Sequence, residues 1–491
     1  MSDTYDVVIV GGGPSGLWLA AELKLAGIAV CVLERRQEHV TQSRSLTIHG
    51  RTLEVLALRG LADRFLAKGR PIPNWHFAGL PTRLDFSIFE ARYPFMLFIP
   101  QTQTEALLEA RARELGVEIR RGFLVEKVAQ GDRLVRVEGA GSEGWFSLEA
   151  SYVVGADGAR SVVRREAGIP YSGIYPTKSI MMADARVDIP VGQPTFSAES
   201  PNGGLTILPL GNGAQRVICL DTERSHVHPH EPLSEDELRQ SLIRIVGSDL
   251  NLRDATWLTR FSDETRLADA YRQGRIFLVG DAAHIHAPMG GQGLNVGLQD
   301  AMNLGWKLAA VLKGDAPAAL LATYEAERRP VGKRLFNNTL AQSALASLFD
   351  PAGRALREIV SEFLGHSSLN HELAGEISGF GLHYPTPLLE DNSDRQSAGL
   401  IGQRVPDCDL TGPDGTITTI YHGLESGHWL HLSLQQGARV DAPEWLAPSA
   451  IKSLTGVPAA MQMPLFQGLA AMLVRPDGYL AASSALAVDG V

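Results

Sequence analysis

Cysteine is scarce. Cys31, Cys219 and Cys408 are odd in number, far apart, and form neither a Cys-x-x-Cys nor a zinc-ligand spacing. Thiol redox chemistry is therefore unsupported, and a reducing, cytoplasmic setting is expected. No apolar run approaches the roughly 20 residues that span a bilayer. Met1 to Val10 passes from a short polar tail into an apolar strand without a basic segment or cleavage site, so neither anchor nor leader is expected. Basic residues are in deficit, 45 Lys and Arg against 55 Asp and Glu, for a net charge of -10. That argues against nucleic acid or an anionic membrane as main partner, because both need basic patches to offset phosphate charge. A small molecule is the expected partner, and a homodimer stays open. Internal repeats and low-complexity tracts are absent as well.

What is present is glycine in a pattern. The 491 residues, 44% hydrophobic, suffice for one composite unit or two to three domains. Tyr5 to Val10 reads as a buried parallel strand, and Pro14 begins a helix with Leu17, Leu19, Ala20 and Leu23 at apolar positions. Between them Gly11, Gly13 and Gly16 supply a tight turn, a close backbone approach to a pyrophosphate, and close helix-to-strand packing, with Pro14 and Ser15 in the same loop. The helix N-terminus presents free N–H groups to phosphate. A second strand, Ile28 to Leu33, ends at Glu34, 18 positions after Gly16, where a carboxylate can accept from an adenosine ribose; Arg35 beside it is a further candidate contact. This fingerprint alone leaves NAD and FAD open.

Two later segments decide for one flavin site crossed three times by the chain. Tyr152 to Ala156 is an apolar strand leading into Asp157, Gly158, Arg160, Ser161 and Arg164; Asp157 is a cofactor candidate and equally fits a helix cap. Arg275 to Val279 leads into Gly280, Asp281 and His284, then Pro288, Met289, Gly290, Gly291, Gln292, Gly293, Leu294 and Asn295. An amphipathic helix follows, with Leu294, Leu298, Ala301, Leu304, Leu308 and Val311 on its buried side. Its N-terminus, about half a positive charge, would favour the anion that develops on a reduced flavin. His284 and His286 share alternate positions, but nothing completes a metal set, and His226, His228 and His230 read as an exposed loop; no metal is expected.

These segments resemble the single-component FAD-dependent aromatic hydroxylases of the p-hydroxybenzoate hydroxylase superfamily. The resemblance spans almost the whole chain and is nearest to aromatic polyketide hydroxylases and rifampicin monooxygenase. Further stretches carry it: Gln42 to Ser45, Arg51 to Leu56, Phe77 to Leu80, Pro100 and Gln101 with Thr104 and Glu105, and Tyr324 with Glu327 to Pro330. It implies that Asp281 binds the ribityl chain, that Pro288 lies beside the reactive flavin edge, that Arg44 and Gln101 contact the cofactor, and that Val125 packs near the adenine. Gly280, Gly291, Gly293, Leu294 and Asn295 complete the implied cofactor set, and the segment at Asp157 is linked to the pyrophosphate and to NAD(P)H.

The expected fold is α/β: a Rossmann-like FAD-binding domain (1–176 and 266–384, with a substrate-facing insertion near 72–100) interleaved with a β-sheet substrate domain (177–265). A small thioredoxin-like C-terminal domain without Cys-x-x-Cys follows (385–491). It stops soon after its last apparent strand, which puts a complete layer in doubt. Trp75, His76, Phe77, Phe95, Leu97, Met181, Leu208, Phe261, Met289 and Gly290 are candidates for an apolar substrate pocket; aromatics suit flat polycycles and methionine adapts to them. The implied activity is monooxygenation of a polycyclic aromatic. Non-covalent FAD is reduced by transiently bound NAD(P)H, and O2 adds at flavin C4a to give the hydroperoxide that transfers oxygen. Baeyer–Villiger insertion into a polycyclic ketone and a non-catalytic flavin-binding redox sensor are the alternatives. No side chain stands out as a base; His76 is a weak candidate.

Overall fold

The computed structural model describes residues 4–190, 195–211, 213–384, 399–459, 461 and 463–486. Its organising sheet is parallel at the centre, with strands Ile276–Leu278, Gly144–Gly155, Thr4–Val10, Val30–Glu34 and Glu118–Arg121 side by side in that order. Helices cover it, so these strands are continuous apolar runs, and Val7, Val8 and Ile9 have no exposed surface. From Thr4–Val10 the chain steps first to one neighbour and later to the other. The C-terminal ends of that strand and of Gly144–Gly155 thus form a topological switch point, where ligands of open α/β sheets bind.

A five-stranded antiparallel sheet lies beside it in the order Phe196–Ser200, Gly203–Gly211, Ala214–Asp221, Ser179–Arg186, Arg253–Ser262. Helix Glu235–Val246 covers one face. It is fixed by Ser234, whose hydroxyl accepts the Glu237 N–H, by three acids in its first turn, and by Gly247 in the left-handed region at its end. Met181, Ala183, Leu205, Ile207, Val217 and Cys219 pack under Leu238, Leu242 and Ile245. Strand alternation puts Met182, Asp184, Leu208, Arg216 and Phe261 on the opposite face. Met181 therefore belongs to the sheet's own core and not to a pocket facing the first domain; the register places its neighbour Met182 there instead.

The C-terminal region carries a four-stranded sheet, Ile451–Thr455, Trp429–Ser433, Leu469–Val474, Leu480–Ala485, the first pair parallel and the others antiparallel. This is the thioredoxin-like strand order. The crossover over 434–450 contains only a short 3-10 turn, Pro448–Ala450, in place of a helix. The boundary expected near 385 lies outside the described residues.

Buried charge joins this region to the rest. Arg59 pairs with Glu22 at 2.8 Å and donates to the carbonyls of Leu424 and Pro476. Arg51 pairs with Glu54 and donates to the Asp477 carbonyl, and Arg404 meets Glu54 at 2.6 Å. Arg475 forks onto Glu327 at 2.8 and 2.9 Å and also holds Asp477. The long helix Gly293–Leu312 takes part, which corrects the expectation of one buried side. Asp300, Asn303 and Lys307, its polar stripe, are buried against Arg328, Glu327 and the C-terminal region. Among the described residues no helix is long and apolar enough to cross a membrane.

Candidate functional site

At the switch point two of the three glycines are required by close backbone approach. A Cβ on Gly11, whose φ is +110°, would lie 2.2 Å from the Ala156 carbonyl oxygen, and one on Gly16 would lie 2.1 Å from that of Gly11. Backbone cannot yield there, so both positions require glycine. Gly13 is different: a Cβ would meet nothing within 4 Å, so the chain leaves space at the start of helix Pro14–Leu25. That helix has no side-chain cap and no acid in its first turn. Its first-turn N–H groups, which lack intrahelical partners, stay available to an anion. Glu34 accepts from the N–H groups of Gly12 (2.7 Å) and Arg36 (2.9 Å). Each oxygen keeps acceptor capacity for a ribose hydroxyl. Arg35 is exposed next to it.

The third segment closes against the first. Gly280 and Gly297 both approach Ser15, where added Cβ atoms would lie 2.7 and 2.5 Å from its hydroxyl. Asp281 is reached by water, yet enclosing protein raises its pKa, with partial compensation from His284 and Arg44. Accessible surface combined with desolvation describes the wall of a cleft. Beyond it, Pro288 is exposed and Gly290 and Gly291 adopt φ of +73° and +65°. The loop's carbonyls are held from outside the cleft. The Gly291 carbonyl accepts from Thr47 (3.2 Å) and Asn295 (2.9 Å), and the His49 ring lies 2.9 Å from that of Gly290. Helix Gly293–Leu312 then begins without a side-chain cap or a first-turn acid, and Leu294 is partly buried beside it. His286 lies against this start, a Cβ on Gly293 being 2.9 Å from its ring. Burial pushes His286 down to about 4, so it adds no charge near neutrality.

The second segment is arranged differently. Asp157 accepts from the N–H of Val162 (2.6 Å) and Val163, and Ser161 from that of Arg164, so the helix Val162–Glu166 is capped by its own side chains. Of the two readings open for Asp157, geometry shows the cap, although its second oxygen is buried without a partner. Arg164 reaches across to the Ala282 carbonyl at 2.9 Å and stacks on Tyr171, whose hydroxyl donates to the Asp281 carbonyl. This segment thereby braces the turn that carries Asp281. Gln101 is also committed to protein: it accepts the Ser45 N–H and donates to Glu105, fixing the loop that exposes Arg44. Val125 is buried in strand Leu124–Gln130.

Two uncapped helix starts, a glycine-lined approach and an acidic cleft wall fit a dinucleotide with an anionic pyrophosphate between its halves and an electron-accepting ring at one end. Facing the cleft is the second sheet's open face, because Arg216, held by Asp184 at 2.8 and 2.9 Å, donates to the Arg44 carbonyl. Leu208 and Phe261 share that face and are partly exposed. Trp75 and His76 are half-buried at ring-centroid separation 4.8 Å, and Phe77 packs with Leu80, Phe86 and Leu364. The His76 ring accepts the Gly79 N–H, and burial holds it down to about 4. Phe95 is half-buried beside Tyr93, and Met289 is half-buried in the Pro288 loop. Leu97 is fully buried beneath Gly69 in the main core, which removes it from any pocket wall.

Residues 4–339 match the model of an FAD binding domain and residues 398–490 that of the aromatic-ring hydroxylase C-terminal region. The chain belongs to the FAD-dependent aromatic-ring hydroxylases. It is 41% identical to an uncharacterized aromatic compound monooxygenase of Bacillus subtilis, over 97% of this chain and 94% of the relative. It is equally 41% identical to a 12-dehydrotetracycline 5-monooxygenase/anhydrotetracycline 6-monooxygenase of Streptomyces rimosus, over 97% and 94%. The solved anhydrotetracycline hydroxylase of Streptomyces rimosus superposes with a TM-score of 0.88 at 39% identity, covering 99% of this chain and 97% of that one. The protein is an FAD-dependent monooxygenase. In this hydroxylase the sequence reading missed Thr47, His49 and Tyr171, which hold the carbonyls of Gly291, Gly290 and Asp281; no glycine or acidic motif marks them.

Proposed function

We propose that this hydroxylase inserts one oxygen atom into an electron-rich polycyclic aromatic, with NAD(P)H as reductant. The balance is substrate–H + O2 + NAD(P)H + H+ giving substrate–OH + H2O + NAD(P)+. The observation that carries the reading is the uncapped start of helix Gly293–Leu312 opening beside Pro288, opposite a sheet face bearing Leu208 and Phe261. Likeness to tetracycline monooxygenases supports a fused-ring substrate.

Gly11 to Gly16, Glu34, Asp281 and Gly293 to Asn295 would hold FAD, which when bound would supply electron storage and oxygen activation. The chain's own contribution is positional and electrostatic. First-turn N–H groups of the long helix favour negative charge placed against them, in a site where burial strengthens the interaction. His286, neutral near pH 7, leaves that field unchanged. Thr47, His49 and Asn295 fix the loop carbonyls so that the loop cannot swing inward. The Asp184–Arg216 pair ties the substrate sheet to the Arg44 segment and narrows access by water. His76 is a poor base, being held near 4 with one ring nitrogen engaged.

The test is turnover of fused-ring phenols and naphthoquinones under 18O2 with NADH or NADPH. A product heavier by one labelled oxygen on a ring carbon is expected. Label in a lactone would replace hydroxylation by Baeyer–Villiger insertion, and NAD(P)H-independent or label-free product would overturn the reading.

A further inference from the structure

Ala78 is a buried non-glycine residue in the left-handed region, with φ +52° and no exposed surface. Such a conformation is strained and persists only where surroundings over-determine it. Here two helices do so. The Ala78 N–H donates to the Gln342 side-chain oxygen at 3.1 Å, and the Ala78 carbonyl accepts from Arg357, which also binds Glu199 on the substrate sheet. The same turn carries His76 and Phe77.

Gln342 has a second commitment. Its amide donates to the Asn338 oxygen at 2.6 Å, and that oxygen also accepts from the Gln292 amide at 3.1 Å. Gln292 donates in addition to the Met289 carbonyl. A Cβ on Gly290 would lie 3.0 Å from the Gln292 amide and 3.5 Å from that of Gln342, so both amides sit on the loop beside Pro288. Gln342, Asn338 and Gln292 are all buried. Buried amides with fixed donor and acceptor directions cannot rearrange singly without leaving a group unsatisfied.

We propose that Gln342 is a positioning residue for oxygen transfer: through Asn338 and Gln292 it couples the strained Ala78 turn to the Pro288–Gln292 loop, so that the substrate wall and the flavin loop hold one geometry together. Its part in oxygen transfer rests on the function proposed above; the coupling itself does not. A substrate that fits the 76–80 turn then registers at Pro288, and one that distorts the turn displaces both.

The test is amide hydrogen exchange on the protein as purified, read by mass spectrometry on peptides covering 74–82 and 286–295. Q342L removes both bonds and should accelerate exchange in both segments about tenfold. N338A keeps the bond to Ala78, so it should accelerate 286–295 and leave 74–82 near wild type. I420V, a core change in the C-terminal region, lowers stability without touching the chain of amides and should reproduce neither pattern. Acceleration by Q342L confined to 74–82, or the same two-segment pattern in I420V, overturns the coupling. In turnover, Q342L should divert at least half of the NAD(P)H electrons to H2O2 at saturating substrate. Altered exchange with unchanged partition would overturn the role in oxygen transfer while the coupling stands. Wild-type protein that transfers no oxygen would sink the proposed function, with the exchange pattern still deciding the coupling.

Discussion

The two ends of helix Gly293–Leu312 differ in what they leave unpaired. At its start no side chain caps the N–H groups and no acid lies in the first turn. Further along, Asp300 meets Arg328 at 2.6 Å, Lys307 meets Glu327 at 2.8 Å, and Asn303 donates to the same Glu327, all fully enclosed. One end keeps its hydrogen-bonding capacity for a ligand, and the rest uses its capacity to bind helix Ala322–Ala346 and, through Asn303 and Trp306, Asp477 of the C-terminal region. The short helix Val162–Glu166 makes the same point within the cleft, since Asp157 and Ser161 already occupy its N-terminus. Helices Gln101–Glu114, Ala322–Ala346 and Ser367–Ser378 also start without a side-chain cap, so the open start at Gly293 is informative through its place beside the Pro288 loop.

The largest predicted effect breaks the close approach on which the open end depends. In G16A the new Cβ would stand 2.1 Å from a backbone oxygen, so soluble flavin-containing protein should be lost, as expression and the visible spectrum will show. Next comes the closed end. E327Q removes the charge facing Arg475 and Lys307 and should cost about 3–5 kcal/mol, measured by denaturant unfolding. The sign with pH follows. Burial alone would raise Glu327, but Arg475 and Lys307 outweigh it and hold it to about 2, below its ordinary 4.5. Its contribution is full above about pH 4.5 and is lost as pH falls toward 2, and E327Q should lack that part of the acid dependence.

Two smaller effects sharpen the contrast. A Cβ at Gly13 meets only open space, so G13A should change the stability of flavin-free protein by less than about 1 kcal/mol. The same substitution should weaken FAD binding tenfold or more in a fluorescence titration, because the space is the ligand's. D157A should do the reverse, costing about 1 kcal/mol of stability through the lost cap while FAD affinity changes less than threefold. Equal losses of affinity in G13A and D157A would erase the distinction between open and capped starts.

Much of this was legible in the sequence. The three strand-to-turn segments, the tight fit at Gly11 and Gly16 and the alternating second sheet were readable because turn chemistry and strand periodicity are local. What failed was set by partners distant in the chain. Met181 and Met182 look alike, and only the register against Ala214–Asp221 decides which faces helix Glu235–Val246. Leu97 looked like a pocket residue and proved to be core. The expected single buried side left out Asp300, Asn303 and Lys307, because Arg475, which pairs with their partner Glu327, comes more than a hundred residues later. Gln342 and Asn338 carry no local signal at all, since amides on a helix resemble any polar face.

The most direct measurement is a crystal structure of the protein with FAD bound. The account predicts the pyrophosphate within hydrogen-bond reach of the N–H groups of Gly13 and Ser15, the flavin ring edge at those of Gly293 to Asn295, and Asp157 still capping Val162. A cofactor seated elsewhere, or one that displaces Asp157 to take the N-terminus of Val162–Glu166, would contradict it.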